Sequence, residues 1–316
     1  MTPSVFDKKQ VNLNSRMSNN WNKIRKNWVL YLFLLPCLAY IIVLNYAPMY
    51  GIQIAFKDFK ASLGILGSPW VGLKHFSNFF GSYQFGALLY NTLALSIYQL
   101  AATIPLPIFL ALLLKYTTFP KLKKTAQTAT YAPHLISVVV MAGMLTVFCS
   151  QTGLFNQLLG LFGIDPIQFL GQEKMYRSIY VWSTVWQRTG FNAVIYIAAL
   201  AGVSHELHEA AIVDGANKIK RVIHIDIPAI MPTMIILTIL NLGNLMGIGF
   251  EKSFLLQNSL NLGSSEIIST YVYKIGILGA QYSYATAIGL FNNMINFILL
   301  ISVNHISKKL TNNSLW

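Results

Sequence analysis

Charged residues are scarce in this chain of 316 residues. Asp, Glu, Lys and Arg make up 10% of it, whereas hydrophobic residues make up 54%. Because a soluble globular domain carries about 25% charged residues, this shortage excludes an ordinary soluble globule. The chain therefore belongs to the membrane class.

Cysteine is also rare, and the two residues, Cys37 and Cys149, both lie in apolar runs at different predicted depths. We expect no disulfide between them and interpret both as small buried hydrophobic residues. The stretch LLPC at 34–37 has the cysteine of a lipoprotein cleavage site, but a proline precedes it and the apolar run continues past it. The sequence thus predicts neither a disulfide nor a lipid anchor.

Motifs for catalysis are missing. The sequence has no G-x-x-x-x-G-K-[ST] phosphate loop and no pairing of a nucleophile with a base. HELHE at 205–209 places its histidines three positions apart, whereas a zinc protease motif needs them four apart with glutamate next to the first. We therefore predict no enzyme activity, no metal site and no cofactor on this chain.

Six long apolar segments are present instead, at 28–48, 87–114, 128–149, 178–202, 229–250 and 282–306. Each has roughly the 20 residues or more that a helix needs to cross a bilayer. No small-residue cleavage site follows the first segment, so we interpret it as a retained span rather than a signal peptide. The sequence predicts an all-α membrane protein with a basic N-terminal tail at 1–27, a six-helix domain at 28–306 and a C-terminal tail at 307–316.

The basic residues are distributed unevenly between the two sides of these segments. Fifteen Lys and Arg residues lie before position 28, at 115–124, at 218–221 and at 308–309, seven lie in the alternate connections, and Arg188 lies within a span. Cytoplasmic loops carry the excess of Lys and Arg. Both termini and the loop at 203–228 are therefore predicted to be cytoplasmic, and the basic charge needs no nucleic-acid partner.

The longest outer connection, at 49–86, contains GLKHFSNFF at 72–80. This stretch is typical of a short amphipathic helix on the outer surface. A plain loop packed on the bundle explains it equally well.

The charged stretch at 203–228 lies between two apolar spans. Ser204 can cap a helix from His205 to about Val213, and Asp214-Gly215 is a good helix stop. A second short helix, from Asn217 to about Ile225, is predicted to follow. The result is an elbow that protrudes into the cytoplasm and docks a partner, or alternatively an ordinary amphipathic connector on the membrane surface.

The spacing within this stretch resembles a known signature. It reads Glu209-Ala210-Ala211, three residues, Gly215, nine residues and then IDIP at 225–228. This is similar to the cytoplasmic EAA motif of permease subunits of binding-protein-dependent, type I ABC importers, although that motif usually has leucine where this chain has Ile227. The resemblance implies the six-span permease fold of that family, in the bacterial inner (cytoplasmic) membrane.

The resemblance also implies partners. In that family the elbow is a coupling helix held by a separate ATP-hydrolysing subunit, so ATP and Mg would be bound by two partner ATPases. The coupling role would be carried here by Glu209, Ala210, Ala211, Asp214 and Gly215. ATP-driven closure of the ATPases would switch this chain and a second related permease between inward-facing and outward-facing states.

A finer resemblance covers nearly the whole chain. YAPMYGIQIAFKDF at 46–59, SPWVGLKHFSNFF at 68–80, NTL at 91–93 and VWQRTGFNAVIYIAAL at 185–200 resemble the carbohydrate class of these permeases. They are especially similar to the subgroup that works with a lipoprotein binding protein. The cargo implied is an oligosaccharide delivered by an extracytoplasmic binding protein, and some members of the subgroup handle uronate-containing polymers.

Polar and aromatic side chains within the spans are the candidate substrate pathway, because sugars are recognised by stacking and convergent hydrogen bonds. We predict Trp186, Gln187, Arg188, Phe191 and Asn192 in the fourth span, and Asn241 and Asn244 in the fifth. Arg188 lies about 15 Å deep at 1.5 Å per residue, where a charge costs at least about 2.5 kcal/mol. It either binds sugar hydroxyls or a carboxylate, or pairs within the bundle.

Asn292, Asn293 and Asn296 in the sixth span are weaker candidates for the pathway. Two alternative functions stay open: a permease of the same family for a non-sugar solute, and an ion-driven secondary transporter. The latter class shows inverted repeats and helices broken at the midplane, and the sequence indicates neither.

Overall fold

A computed structural model describes residues 26–311, and helices dominate that part of the chain. Its only pairing of strand type, within the described residues, is an isolated bridge between Lys57 and Trp70. In chain order the main helices are α1 (Trp28–Phe56), α2 (Lys74–Phe80), α3 (Phe85–Tyr116), α4 (Pro120–Leu135), α5 (Val138–Phe148), α6 (Leu154–Gly160), α7 (Glu173–Ala201), α8 (His205–Val213), α9 (Lys218–Leu242), α10 (Phe250–Leu256), α11 (Ile268–Tyr273) and α12 (Tyr282–Thr311).

Among residues 26–311, four single helices, α1, α3, α9 and α12, are long and apolar enough to cross a membrane, and the number rises to six if each of two bent pairs is one span. Three of the predicted segments, 87–114, 178–202 and 282–306, coincide with α3, α7 and α12 to within about five residues at each end, whereas α1 starts with the segment 28–48 but continues to Phe56. Helix α12 continues past 306 to Thr311. The predicted tail at 1–27 lies almost wholly outside the described residues, as do residues 312–316.

The third predicted span, 128–149, is not one helix. Helices α4 and α5 meet at an angle of 99° around Ile136 and Ser137. Pro133 lacks an N–H and restricts the residue before it, so the α-helix gives way to a 3-10 turn at Ala132–Leu135. Ser137 then starts the new helix, because its Oγ accepts a hydrogen bond from the amide of Val140 at 3.2 Å.

The fifth predicted span, 229–250, differs from the structure in its start, which lies earlier in the chain, and in its continuity. Helix α9 begins at Lys218, so the short helix predicted at 217–225 is its first part rather than a separate element. The helix ends at Leu242, and the chain is irregular from Gly243 to Gly249 apart from one 3-10 turn. The sequence indicates no helix broken at the midplane, whereas this span is broken after Leu242, and α10 follows the break.

Polar side chains from neighbouring helices satisfy the backbone of this break. The Asn296 Oδ1 accepts a hydrogen bond from the amide of Met246 at 2.8 Å. The Asn292 Nδ2 donates a hydrogen bond to the carbonyl of Met246 at 3.2 Å. The Ser96 hydroxyl donates to the carbonyl of Leu245 at 2.5 Å. Two of the asparagines that sequence analysis considered for the pathway thus hold irregular backbone in place, which a low-dielectric environment demands.

Helix α7 is at the centre of the bundle and packs against α3, α4 and α9. Its buried Tyr176, Tyr180 and Val181 join residues of α3 and α5 in one apolar cluster. A second cluster gathers α2, α3, α11 and α12, and a third gathers α3, α7 and α9. The crossing of α7 with α4 is tight, because a Cβ added at Gly190 would meet the backbone carbonyl of Thr130.

Helix α1 differs from the rest because no side chain of Trp28–Ile41 is buried against the described chain. Cys37 lies on this exposed helix, whereas Cys149 is buried. The interpretation of Cys37 as a buried residue is therefore wrong. An apolar helix of this kind faces lipid or another membrane chain.

The amphipathic helix predicted in the first outer connection is confirmed as α2, Lys74–Phe80. It also packs on the bundle, because its buried Phe79 meets Phe291 of α12 with ring centroids 5.6 Å apart. Lys74 pairs with Asp58 at 2.7 Å. The hydrogen bond and positive charge of Lys74 hold the pKa of Asp58 below its usual value.

Gly190→Ala should destabilise the protein, because the new methyl group must separate α7 from the Thr130 carbonyl. Overpacking of this kind costs about 1–3 kcal/mol. Gly143→Ala is the matched control, since a Cβ at Gly143 of α5 would meet no atom within 4 Å. We expect a lower midpoint of thermal unfolding in detergent for the Gly190 variant alone. Equal midpoints would contradict the tight crossing.

Candidate functional site

The first element of the candidate site is α8, whose predicted bounds, His205 to Val213, are confirmed. At its start the Ser204 Oγ accepts a hydrogen bond from the amide of Glu206 at 3.2 Å. At its end the amide of Ala216 donates to the carbonyl of Ala211 at 2.8 Å, and that of Gly215 donates to the carbonyl of Ile212 at 3.0 Å. This Schellman motif needs a left-handed residue, and Gly215 supplies it with φ +75°.

The predicted coupling residues lie largely on the exposed surface of this elbow. Glu209, Ala210, Asp214 and Gly215 are exposed and Ala211 is half-buried. The Glu209 carboxylate meets the His205 ring at 3.1 Å. Three large apolar side chains on α8 are exposed beside them, namely Leu207 (56%), Ile212 (54%) and Val213 (88%). Apolar and acidic groups presented together on a short helix form a surface suited to a protein partner.

The second element is a polar cavity of 240 Å³ that brings together Arg188, Asn241 and Asn244. Arg188 lies near the middle of the 29-residue helix α7. Asn241 is in the last turn of α9, and Asn244 follows in the break after it. The break thus places an amide side chain and open backbone opposite the arginine. Ser96 and Gln99 of α3 complete the polar wall.

A neighbouring cavity of 410 Å³ shares Arg188 and Gln99 with the first. Gln187 also lines it, and the Gln187 Nε2 donates a hydrogen bond to the carbonyl of Ile136 at 2.7 Å, at the bend between α4 and α5. The Gln99 Oε1 is buried and has no hydrogen-bond partner among the described residues. An amide oxygen without a partner is a ready acceptor for a ligand hydroxyl.

Lys252 of α10 lines the same cavity and was missed by sequence analysis, which placed it in an outer connection. Its side chain is buried, and the ammonium donates hydrogen bonds to the Tyr180 carbonyl at 3.0 Å and the Thr184 hydroxyl at 2.7 Å. It also lies 4.8 Å from the centre of the Tyr180 ring. The break after α9 turns α10 inward, and no local sequence signal shows that turn.

Neither cation of this site has an anionic partner within residues 26–311. Arg188 and Lys252 form no ion pair there, and Arg188 makes no hydrogen bond. Glu251 lines the same cavity as Lys252 but is exposed and unpaired with either. Arg188 and Lys252 therefore line these cavities without an ion pair, and Glu251 is the one carboxylate in the lining of the two cavities.

The remaining predicted pathway residues are not brought to these cavities. Trp186 lines a separate, apolar cavity of 550 Å³ together with Trp182. Phe191 stacks on His134 with ring centroids 4.0 Å apart. Asn192 is half-buried on α7, one turn from Arg188. Within the described part of the chain, no group of three or more His, Cys, Asp or Glu side chains is placed to hold a metal ion.

Comparison with known families identifies the chain. The model of the family described as "binding-protein-dependent transport system inner membrane component" matches residues 79–312. The chain belongs to this family. Membership makes it a multi-pass permease of the inner membrane. It decides against the ion-driven secondary transporter, even though the fifth span is broken.

Similar permeases are found in Bacillus subtilis (strain 168). The polygalacturonan/rhamnogalacturonan transport system permease protein YteP is 41% identical over 288 residues, which cover 91% of this chain and 90% of YteP. Protein LplB is 41% identical and covers 90% of each chain. The arabinooligosaccharides transport system permease protein AraP is 29% identical, with coverage of 89% and 88%.

Solved structures of similar proteins support the assignment of the chain to this family. A chain of a bacterial ABC transporter involved in the import of the acidic polysaccharide alginate superposes with a TM-score of 0.87 at 36% identity, covering 93% of this chain and 99% of that one. A second structure of the alginate transporter holds an alginate pentasaccharide-bound periplasmic protein and has the same TM-score at 35% identity. The permease thus has the type I ABC importer fold, as predicted.

Asn296→Leu should destabilise the permease, because it removes the acceptor of the buried Met246 amide. An unsatisfied buried donor costs about 1–3 kcal/mol. Asn293→Leu is the control, since Asn293 is exposed on the same helix. We expect the midpoint of thermal unfolding to fall for Asn296→Leu only. A fall of the same size in both variants would show that Asn296 does not hold the break.

Proposed function

We propose that this permease translocates a uronate-containing oligosaccharide, delivered by an extracytoplasmic binding protein, and that ATP hydrolysis on separate subunits drives the transport. Arg188 and Lys252 bind the sugar carboxylates as they pass. Asn241, Asn244 and Gln187 bind hydroxyl groups.

The observation that carries this proposal is the pair of basic side chains, Arg188 and Lys252, that line adjoining polar cavities without an ion pair among the described residues. A charge at mid-membrane depth is costly unless it pairs or faces water. A buried charge that lacks its partner destabilises a protein by about 3–5 kcal/mol. We therefore infer that an unpaired cation is kept here for a function. A carboxylate ligand compensates that charge, and the planar guanidinium of Arg188 suits bidentate binding of it.

The similar proteins support an acidic cargo. YteP is named for polygalacturonan and rhamnogalacturonan, and the alginate transporter is described as an importer of an acidic polysaccharide. AraP, which is named for arabinooligosaccharides, is less similar to this chain. The names of YteP and of the alginate transporter describe polymers that carry carboxylates. An acidic cargo of this kind agrees with the basic side chains that line the cavities.

The partners follow from the exposed surfaces. Helix α8 and its loop, 203–228, dock on an ATPase subunit that binds ATP and Mg, and two such subunits serve the complex. The apolar helix α1 has no buried side chain at Trp28–Ile41 and meets lipid and a second, related permease. The chain itself hydrolyses nothing and needs no cofactor or nucleic acid.

The orientation follows from the basic residues. Lys115 contacts His208 of α8, and the basic residues at 218–221 follow α8 in the chain. We assign this side to the cytoplasm from the excess of Lys and Arg. The basic residues of the sequence before position 28 and at 308–309 favour the same side for both tails. The Asp58 and Lys74 pair and α2 then face the binding protein on the outer side.

Transport proceeds by a shift of populations between two states of the permease pair. The binding protein releases the oligosaccharide into the polar cavities when they open outward, and ATP bound to the two ATPases stabilises that state. After hydrolysis α8 returns, the cavities open inward, and the cargo leaves. The contacts with Arg188 and Lys252 must be weak enough to release the carboxylate.

Gly215→Leu and Glu209→Lys should abolish uptake and the stimulation of ATPase activity while the permease still inserts into the membrane. Leucine in the left-handed conformation is strained by about 1–2 kcal/mol, and lysine reverses a charge on the docking surface. Gly202→Leu is the control, since Gly202 has φ −80° at the other end of the elbow. Wild-type coupling in the two variants would contradict the docking role of α8.

Arg188→Gln and Lys252→Met should impair uptake of an acidic oligosaccharide far more than uptake of a neutral one. Each charge-assisted hydrogen bond is worth about 1.5–3 kcal/mol, so we expect a loss of about tenfold or more for the acidic cargo. The measurement is uptake of matched uronate and neutral oligosaccharides in proteoliposomes that contain the whole complex.

The control for this pair of variants is Trp186→Leu, because Trp186 lines a different cavity. It should leave the ratio of acidic to neutral uptake unchanged. Equal losses for both cargoes in Arg188→Gln would show that the arginine is structural.

A further inference from the structure

Helix α8 is attached to the bundle by very little of its own surface. Within the described helix His205–Val213, His208 is the only buried side chain. The other eight residues are exposed or half-buried. Apart from the chain connections at 202–204 and 214–217, α8 therefore depends on His208 for its position against the bundle.

His208 reaches a polar cluster at the cytoplasmic ends of two spans. Its Nε2 lies 3.2 Å from the Oδ1 of Asp226 in α9 and 3.2 Å from the Nζ of Lys115 in α3. The Lys115 Nζ lies 2.5 Å from the same Asp226 oxygen. The Tyr116 hydroxyl donates to the other Asp226 oxygen at 2.7 Å. We call these four residues the Asp226 cluster.

The Asp226 cluster ties three elements together through one buried carboxylate. Asp226 is fully buried, with 0% of its surface exposed. Its ion pair with Lys115 holds α3 against α9, and its contact with His208 adds α8. Burying a charge without partners is strongly unfavourable, so the carboxylate keeps its donors close and in fixed geometry.

A polar contact to a buried carboxylate couples the movement of α8 to the movement of the helices that share that carboxylate. Hydrogen bonds to a buried carboxylate lose strength steeply with distance and angle, so its donors resist separation from it. A displacement of α8 therefore moves Asp226, and with it the ends of α3 and α9. Helix α9 leads directly to the break that holds Asn244, and α3 carries Ser96 and Gln99 of the cavity wall.

We propose that His208 and Asp226 are positioning residues that transmit the movement of α8 to the cavity-forming helices α3 and α9. This inference rests on the proposed function, because it needs α8 to be the helix that the ATPase moves. It adds the route of transmission, which begins at the one buried side chain of the helix.

The test is His208→Leu in the complete complex of permeases, ATPases and binding protein. This variant leaves the pair of Lys115 and Asp226 in place, so the ends of α3 and α9 stay joined. Coupling free energies between sites correspond to about 5- to 150-fold effects, and we expect oligosaccharide transported per ATP hydrolysed to fall at least about fivefold. The amount of ATPase that co-purifies should stay at the wild-type level.

Two further variants separate transmission from general damage. His208→Gln places an amide donor where the imidazole was and should restore most of the transport per ATP. His305→Leu changes an exposed histidine of α12 outside the docking segment 203–228, and it should behave as wild type. The midpoint of thermal unfolding of each complex shows whether the fold is intact.

Wild-type transport per ATP in His208→Leu would overturn the inference, and so would a His208→Gln variant as defective as His208→Leu. Gly215→Leu, measured in the same preparation, keeps the two proposals apart. If Gly215→Leu abolishes coupling while His208→Leu does not, the route of transmission is wrong and the docking role of α8 stands. If neither has an effect, the proposed function itself fails.

Discussion

The membrane interior offers no water to polar groups, and this constraint governs the whole structure. Backbone amides and carbonyls that leave a helix must find partners inside the protein, and charges must be paired or placed in a cavity. The break after α9 meets the first demand through Asn292, Asn296 and Ser96. Arg188 and Lys252 meet the second by lining cavities, because neither forms an ion pair within the described chain. In the proposed function a carboxylate of the cargo is their partner.

The same constraint links the cavity to α8. Asp226 is buried near the start of α9 and is compensated by Lys115, Tyr116 and His208. Helix α9 therefore has a fixed charge cluster at one end and an irregular, cavity-lining segment at the other. A long helix between two such points carries displacement from one to the other. In this account the energy of ATP hydrolysis reaches the sugar through α8, the Asp226 cluster and α9.

Local signals in the sequence were sufficient for some of these features. A serine cap and an Asp-Gly stop gave α8 its bounds, and the polarity of Arg188, Asn241 and Asn244 within apolar spans marked residues that the structure brings to one cavity. Features set by tertiary contacts were missed. Lys252 follows an apolar segment, and its local sequence indicates a loop residue. The break after α9 turns α10 inward and buries it. His208 has the local sequence of a solvated helix residue, and only the placement of Asp226 beside it shows its contact.

The most direct test of the central claim is the ATPase activity of the complex in proteoliposomes, measured with its binding protein and a panel of matched uronate and neutral oligosaccharides. The account predicts that uronate oligosaccharides stimulate hydrolysis strongly and that neutral ones of the same length do not, because only a carboxylate compensates Arg188 and Lys252. Stimulation by neutral oligosaccharides alone would contradict the assignment of the cargo. Failure of any ATPase to co-purify with the permease would contradict the role of α8 as the coupling helix.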